Sequence, residues 1–184
     1  DDYAGQLSPI RDRYPLGNAL INPPRVLIAG IPNVGKSTLL NALLRRERVI
    51  VHDSPGTTRD IVRENVSING VPFEIIDSAG IRDDVDDLES RAIARALELV
   101  DECDVLLWVE DASQTDPETA NVPDVSAEKR TICVKNKIDI LREEVSGLSA
   151  KYSAPHDNRN VPIIPVSAKQ ETGIQDLERH LIKP

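Results

Sequence analysis

No apolar run in the 184 residues approaches the roughly 20 needed to cross a bilayer, and no charged segment followed by an apolar one opens the chain. These absences point away from a membrane span or secretion signal and towards a cytoplasmic protein. Methionine is missing from the first position, so with Asp1 there the expectation is a processed chain or a piece of something longer. Cysteine is scarce: Cys103 and Cys133 have no CxxC spacing and read as buried structural thiols, not a metal or redox pair. His52, His156 and His180 are isolated and read as solvated loop or helix positions. Positive charge is in deficit, with 22 Lys and Arg against 31 Asp and Glu for a net −9, which argues against a broad grip on a nucleic-acid backbone by this domain alone. Internal repeats are also missing.

What is present begins with Gly30-Ile31-Pro32-Asn33-Val34-Gly35-Lys36-Ser37, a GxxxxGKS loop. It follows the apolar run Arg25 to Ala29 and precedes Thr38-Leu39-Leu40-Asn41-Ala42-Leu43-Leu44. In a strand, glycine loop and helix in that order, backbone N–H groups and the positive helix end converge on a polyphosphate. Gly30 and Gly35 permit close backbone approach, Lys36 supplies charge for the β and γ phosphates, and Ser37 offers a hydroxyl to Mg²⁺. Asn33, Val34, Gly35, Lys36, Ser37 and Thr38 are therefore the candidate phosphate-binding set.

Length and the 40% hydrophobic content suit one core. Prolines at 9, 15, 23 and 24 make residues 1–22 a lead-in or linker, leaving 23–184 as the domain. Strands are expected near 25–30, 61–69, 71–77, 104–110, 131–135 and 161–166, with helices near 36–46, 88–101 and 173–182. Asn69-Gly70 should turn a hairpin, so one strand runs antiparallel in a six-stranded, mostly parallel α/β sheet with helices on both faces. Val105 to Val109 reads as a strand covered on both sides, making Trp108 a core residue. Ala92, Ile93, Ala96, Leu97 and Val100 form the stripe expected to pack on the sheet. Residues 112–128 and 149–160 are too polar and proline-broken for full helices, and read as loops or short turns.

Four further signals follow in order. Gly56-Thr57-Thr58-Arg59-Asp60 lies between the first helix and second strand, where Thr58, in preference to Thr57, can complete Mg²⁺ coordination and sense the γ-phosphate. Asp77-Ser78-Ala79-Gly80 ends the third strand, placing Asp77 towards Mg²⁺ and the Gly80 amide towards the γ-phosphate, with 78–90 a candidate switch. In Asn136-Lys137-Ile138-Asp139, the Asp139 carboxylate can accept from guanine N1–H and the 2-amino group. The Asn136 amide is expected at the O6/N7 edge, and the Lys137 stem over the ring. Adenine lacks both donors and would leave the carboxylate unpaired. Ser167-Ala168-Lys169 is expected to bring the Ala168 amide to guanine O6.

Taken with Ile81-Arg82 and the acidic run into Glu89, these motifs make residues 25–182 resemble the translation-factor-related GTPases. The specific resemblance is to the G domain of the MnmE, or TrmE, family of tRNA-modification GTPases. It implies a Ras-like P-loop domain that binds GTP or GDP with Mg²⁺ and hydrolyses GTP. Ras-type enzymes carry a water-orienting glutamine after the DxxG glycine, whereas this chain has Ile81. The resemblance therefore implies that Glu89 positions water and that Asn33 helps bind K⁺, completed by face-to-face G-domain dimerisation. Lys36, Asn33 and Glu89 are the candidate catalytic residues; Ser37, Thr58 and Asp77 would hold Mg²⁺. The family's folate-binding and helical domains and C-terminal cysteine motif are absent here, so tRNA and a flavin-containing partner would be engaged through other domains. Two alternatives are a ribosome-assembly GTPase of the Der or Era kind and a catalytically idle GTP-binding interaction module; a P-loop kinase is more distant.

Overall fold

The computed structural model of the protein describes residues 21–46, 62–77, 94, 97–115, 121–123, 125, 129–141 and 161–183. Its elements, in chain order, are β1 (Arg25–Ala29), α1 (Lys36–Arg46), β2 (Val62–Ile68), β3 (Val71–Asp77), β4 (Val105–Asp111), β5 (Arg130–Asn136), β6 (Ile163–Pro165) and α2 (Ile174–Ile182). The strands form one six-stranded sheet ordered β2-β3-β1-β4-β5-β6. Only β2 pairs antiparallel, with β3, through Asn69 and Gly70, both at positive φ as a tight primed turn requires. The β1–β3, β1–β4, β4–β5 and β5–β6 pairs are parallel.

Chain order therefore reverses across β1: β3 lies on one side of it and β4 on the other. In open parallel sheets, the crevice outside the carboxyl end of a strand at such a reversal is where ligands bind. The glycine loop leaves β1 at that point.

Side-chain alternation divides the core in two. Val26, Ile28, Leu107, Val109, Ile132 and Val134 face α1 and α2, which contribute Leu39, Leu43, Ile174, Leu177 and Leu181. Leu27, Ala29, Leu106, Trp108 and Cys133 face the other way, against Val100, Cys103, Val122 and Ile138. All seven residues of β4 are buried, as expected of a central parallel strand, and Trp108 is in the core. Fully burying each Leu or Ile in these layers contributes about 1.5–3 kcal/mol relative to exposure.

Both cysteines are buried and free, and burial pushes the Cys133 thiol far above the ordinary thiol range. Arg130, at the start of β5, donates to the carbonyls of His180 and Leu181. That contact places a cation and hydrogen-bond donors at the negative end of α2.

Three expectations need adjustment. Leu97 is 41% exposed, although it belongs to the stripe assigned to the sheet. Within the helical residues 97–100 the inward positions are Val100 and, in part, Leu99, and Cys103 continues that face. The last strand is only three residues long, because Pro162 and Pro165 cannot donate to a ladder. Its neighbours still align it, through Cys133 N–H to the Pro162 carbonyl at 2.9 Å and Val166 N–H to the Lys135 carbonyl at 2.8 Å. The strands β4 and β5 each run one residue further than expected, to Asp111 and Asn136. That extra length carries polar side chains to the site. Among the described residues of 112–128 there is no helix, as expected; 149–160 lies outside the described residues.

Candidate functional site

The glycine loop joins the buried β1 to the first turn of α1. Gly30 has φ 149°, and a Cβ there would sit 2.2 Å from the Val109 carbonyl oxygen on the neighbouring β4. The loop can leave the sheet only where that space is empty. Gly35 has φ 97°, and its Cβ would meet Asn136 Nδ2 at 2.4 Å. We expect Gly30→Ala to destabilise the domain strongly, because the obstructing atom is backbone and cannot rotate away. A thermal melt matching the wild type would refute this account of the loop.

Lys36 Nζ donates to the carbonyls of Gly30 and Ile31, each at 2.9 Å, so the ammonium is held over the loop. Asn33 is exposed at positive φ, Val34 is buried, and Ser37 and Thr38 lie on the first turn of α1. Asp77 ends β3 in register with Ile28, two residues before Gly30, and is 5% exposed. Thr57, Thr58, Gly80 and Glu89, together with Arg59, Ile81 and Arg82, lie outside the described residues.

Two further loops meet this one. After β5, Lys137 takes a left-handed conformation (φ 67°), and Ile138–Ile140 form a single 3-10 turn carrying Asp139. After β6, Ser167 and Thr172 exchange backbone hydrogen bonds at 2.9 and 3.1 Å, closing the loop with Ala168 and Lys169 near its start. Ser167 Oγ donates to Asp139 Oδ1 at 2.6 Å and accepts from Gln170 N–H at 3.1 Å, which orients the carboxylate.

Asn136 departs from its expected part. Its Nδ2 donates to the Val34 carbonyl at 2.9 Å, and its Oδ1 accepts the Ala168 N–H at 3.0 Å. Only 2% exposed, it ties all three loops together and does not lay its carboxamide edge along the cleft. The Ala168 amide, expected to face the cleft, points at Asn136 for the same reason. The 360 Å³ cleft between the loops is lined by Gly35, Thr38, Lys137, Asp139 and Lys169, with Asn136 at its floor. Ile140, 56% exposed, adds an apolar wall that the motif strings gave no reason to single out.

Two carboxylates at the end of the buried β4 also escaped the sequence reading. Lys137 Nζ sits 2.7 Å from Asp111 Oδ2, and Asp111 Oδ1 accepts from both the N–H and the hydroxyl of Ser113, at 2.9 and 2.6 Å. Burial works against ionisation of Asp111, but the Lys137 and Ser113 hydrogen bonds outweigh it and hold its pKa below the ordinary carboxylate range. Next to it, Glu110 pairs with Lys135 in the second core layer, both essentially inaccessible. The available signal was Glu110-Asp111 following an otherwise apolar strand, since buried carboxylates demand partners.

A glycine loop at the carboxyl end of the reversal strand, closed by the loops that follow β5 and β6, defines a Ras-like P-loop nucleotide-binding domain. A sequence-family profile described as "50S ribosome-binding GTPase" matches residues 25–137, and the chain belongs to that family. It is a GTPase domain that binds and hydrolyses GTP. It is 42% identical over 164 residues to the tRNA modification GTPase MnmE of Pseudothermotoga lettingae, covering 86% of this chain and 35% of that protein. With the MnmE of Mannheimia succiniciproducens the identity is 37% over 182 residues, 98% of this chain and 39% of that protein. The chain thus spans less than half the length of these relatives. Among solved structures, a single-substitution variant of Aquifex aeolicus Era bound to GDP and AlF4⁻ matches with TM-score 0.62 and 30% identity, over 86% of this chain and 55% of that one.

Proposed function

We propose that residues 23–184 form the GTP-operated switch of a tRNA-modification GTPase, with 1–22 a lead-in, and that it works in the cytoplasm. Its similarity along nearly the whole chain to MnmE GTPases carries the reading. Asp139, held by Ser167, accepts from the guanine N1–H and 2-amino group, Lys137 covers the ring, and Asn136 fixes the distance between base and phosphate loops. Ser167, Ala168 and Lys169 close the base side. Lys36 and the amides of residues 33–38 neutralise the polyphosphate.

The oxygen donors present suit Mg²⁺, a hard cation that keeps most of its coordination for phosphates and water. Asp77 is a carboxylate buried beside the loop strand, and Ser37 is a hydroxyl on the first helical turn. Together with Thr58 they would hold the ion, which would supply positive charge to offset that of the phosphates. Among the described residues there is no cluster of three His, Cys, Asp or Glu fit to bind a metal by itself, so this reading leaves the remaining ligands to phosphate and water.

With Ile81 unable to orient water, Glu89 does so, and the exposed Asn33 contributes to a K⁺ site completed when two G domains associate. A flavin-containing enzyme and tRNA would be engaged through parts of the protein outside these residues. Among the described residues no helix is long and apolar enough to cross a membrane.

Phosphate release at high protein concentration should be markedly faster in K⁺ than in Na⁺. Glu89→Ala should slow single-turnover hydrolysis about 10²-fold or more, as loss of a positioned general base or water-orienting group does, while leaving GTP affinity nearly intact. Equal rates in the two salts would remove K⁺ from the proposal, and unchanged hydrolysis would remove Glu89. A ribosome-bound switch is a second reading, favoured by the family's description; cosedimentation with ribosomal subunits in the GTP state would support it.

A further inference from the structure

We infer that Asp111 is a positioning residue for nucleotide binding: it anchors the ammonium of Lys137 so that the lysine stem lies as a flat apolar cover along the base cleft. The inference rests on the guanine-site reading above and deepens it.

A lysine stem covers a purine only if its four methylenes stay extended in one place, and an unanchored lysine loses rotamer entropy when so ordered. In this structure the ordering is built in. Lys137 starts from a left-handed backbone at the lip of the cleft, and its Nζ ends 2.7 Å from Asp111 Oδ2 at the end of the adjacent β4. Asp111 is itself immobile, being buried at the strand end with its other oxygen held by the Ser113 N–H and hydroxyl. The register Asp111 opposite Asn136 puts the anchor directly across from the residue preceding Lys137. Lys137 lines the cleft and is only one-third exposed along its side chain. Its charge is therefore compensated from the strand, not from the nucleotide. The contact it offers the ligand is apolar surface, which any purine can use.

This division of labour has a signature. Asp139 discriminates between bases by their hydrogen-bond donors, whereas the Asp111–Lys137 pair adds affinity without discrimination. Inosine triphosphate keeps N1–H and lacks the 2-amino group, so it reports on Asp139 separately. D111N keeps the size of the side chain and an oxygen for Ser113 but turns an amide towards Lys137. It should weaken GTP and inosine triphosphate by the same factor, about tenfold, leaving their affinity ratio at the wild-type value. A change of that size is about 1.4 kcal/mol.

Titration calorimetry of the chain with each nucleotide and Mg²⁺ makes the test. Unchanged GTP affinity in D111N overturns the assignment. So does a collapse of the ratio, which would mean that the whole loop, Asp139 included, had shifted. Ser113→Ala, at an exposed position, guards against a D111N protein that does not fold. Removing one of the two hydrogen bonds on Asp111 Oδ1 should weaken both nucleotides equally by about two- to threefold, and no change there also counts against the anchor. The underlying guanine reading fails differently: the wild-type chain would then bind ATP as well as GTP. A wild type selective for GTP beside a D111N of unaltered affinity sinks Asp111 alone.

Discussion

Asp139→Asn should lower GTP affinity by at least about 10²-fold and raise affinity for xanthosine triphosphate above that for GTP. Guanine presents two donors side by side, N1–H and the 2-amino group, and a carboxylate accepts both. Asparagine keeps one acceptor and substitutes a donor, which faces the 2-amino group unfavourably but matches the 2-carbonyl of xanthine. The Ser167 hydroxyl, 2.6 Å from Asp139 Oδ1, can donate to an asparagine carbonyl just as well, so it selects the rotamer that turns the new NH2 towards the base. Thermal stability should be little altered, because Asp139 sits in a single 3-10 turn and is partly exposed. Competition binding of the two nucleotides to both proteins is decisive. A GTP preference retained in the variant would take Asp139 out of base recognition.

The largest expected stability effect lies away from the cleft. Lys135→Met should cost about 3–5 kcal/mol, since it strands the Glu110 carboxylate in the second core layer without its counter-ion. Lys135 Nζ also donates to Thr115 Oγ1 at 2.9 Å, and Glu110 Oε1 accepts the Asn121 N–H at 2.8 Å. The pair thus ties Thr115 and Asn121, which follow β4, to the sheet. Replacing both partners, with Glu110→Leu added to Lys135→Met, should recover part of the loss, because a buried ion pair is costly to assemble and costlier to halve. Recovery stops short of complete since Asn121 and Thr115 lose partners. Urea unfolding midpoints of the wild type, single and double variants measure these differences. A single variant within about 1 kcal/mol of the wild type would show that Glu110 finds compensation elsewhere.

The first of these predictions was open to a reader of the sequence and the second was not. Every element of the cleft that a short contiguous string encodes was legible: the glycine loop, the lysine after it, the NKxD turn and the serine-alanine-lysine loop. Such strings are legible because each does its chemistry within one turn of chain, where spacing alone sets geometry. The sheet was legible for a related reason. Alternation and apolar runs report how many faces of a strand are covered, and Asn69-Gly70 reports one reversal of direction. The stripe that put Leu97 inward shows the limit of that approach. Periodicity gives the face of a helix, but the angle at which the helix meets the sheet decides which end of the stripe is buried.

By itself, then, the sequence determined that this is an α/β P-loop domain with a guanine-nucleotide motif set, and it picked out the glycine loop, the NKxD turn and the serine-alanine-lysine loop that meet at the cleft. Only the tertiary structure decided that Asn136 spends its amide on Val34 and Ala168, that Ser167 orients Asp139, that Lys137 is anchored by Asp111, and that Lys135 answers Glu110. Residues 34 and 136 are far apart in the chain, as are 111 and 137 or 139 and 167. Their contacts are set by β4, β5 and β6 lying side by side and ending at one edge, next to the strand that carries the glycine loop. A hydrogen bond between two side chains depends on both positions to within a few tenths of an ångström, and no local pattern in either segment carries that information.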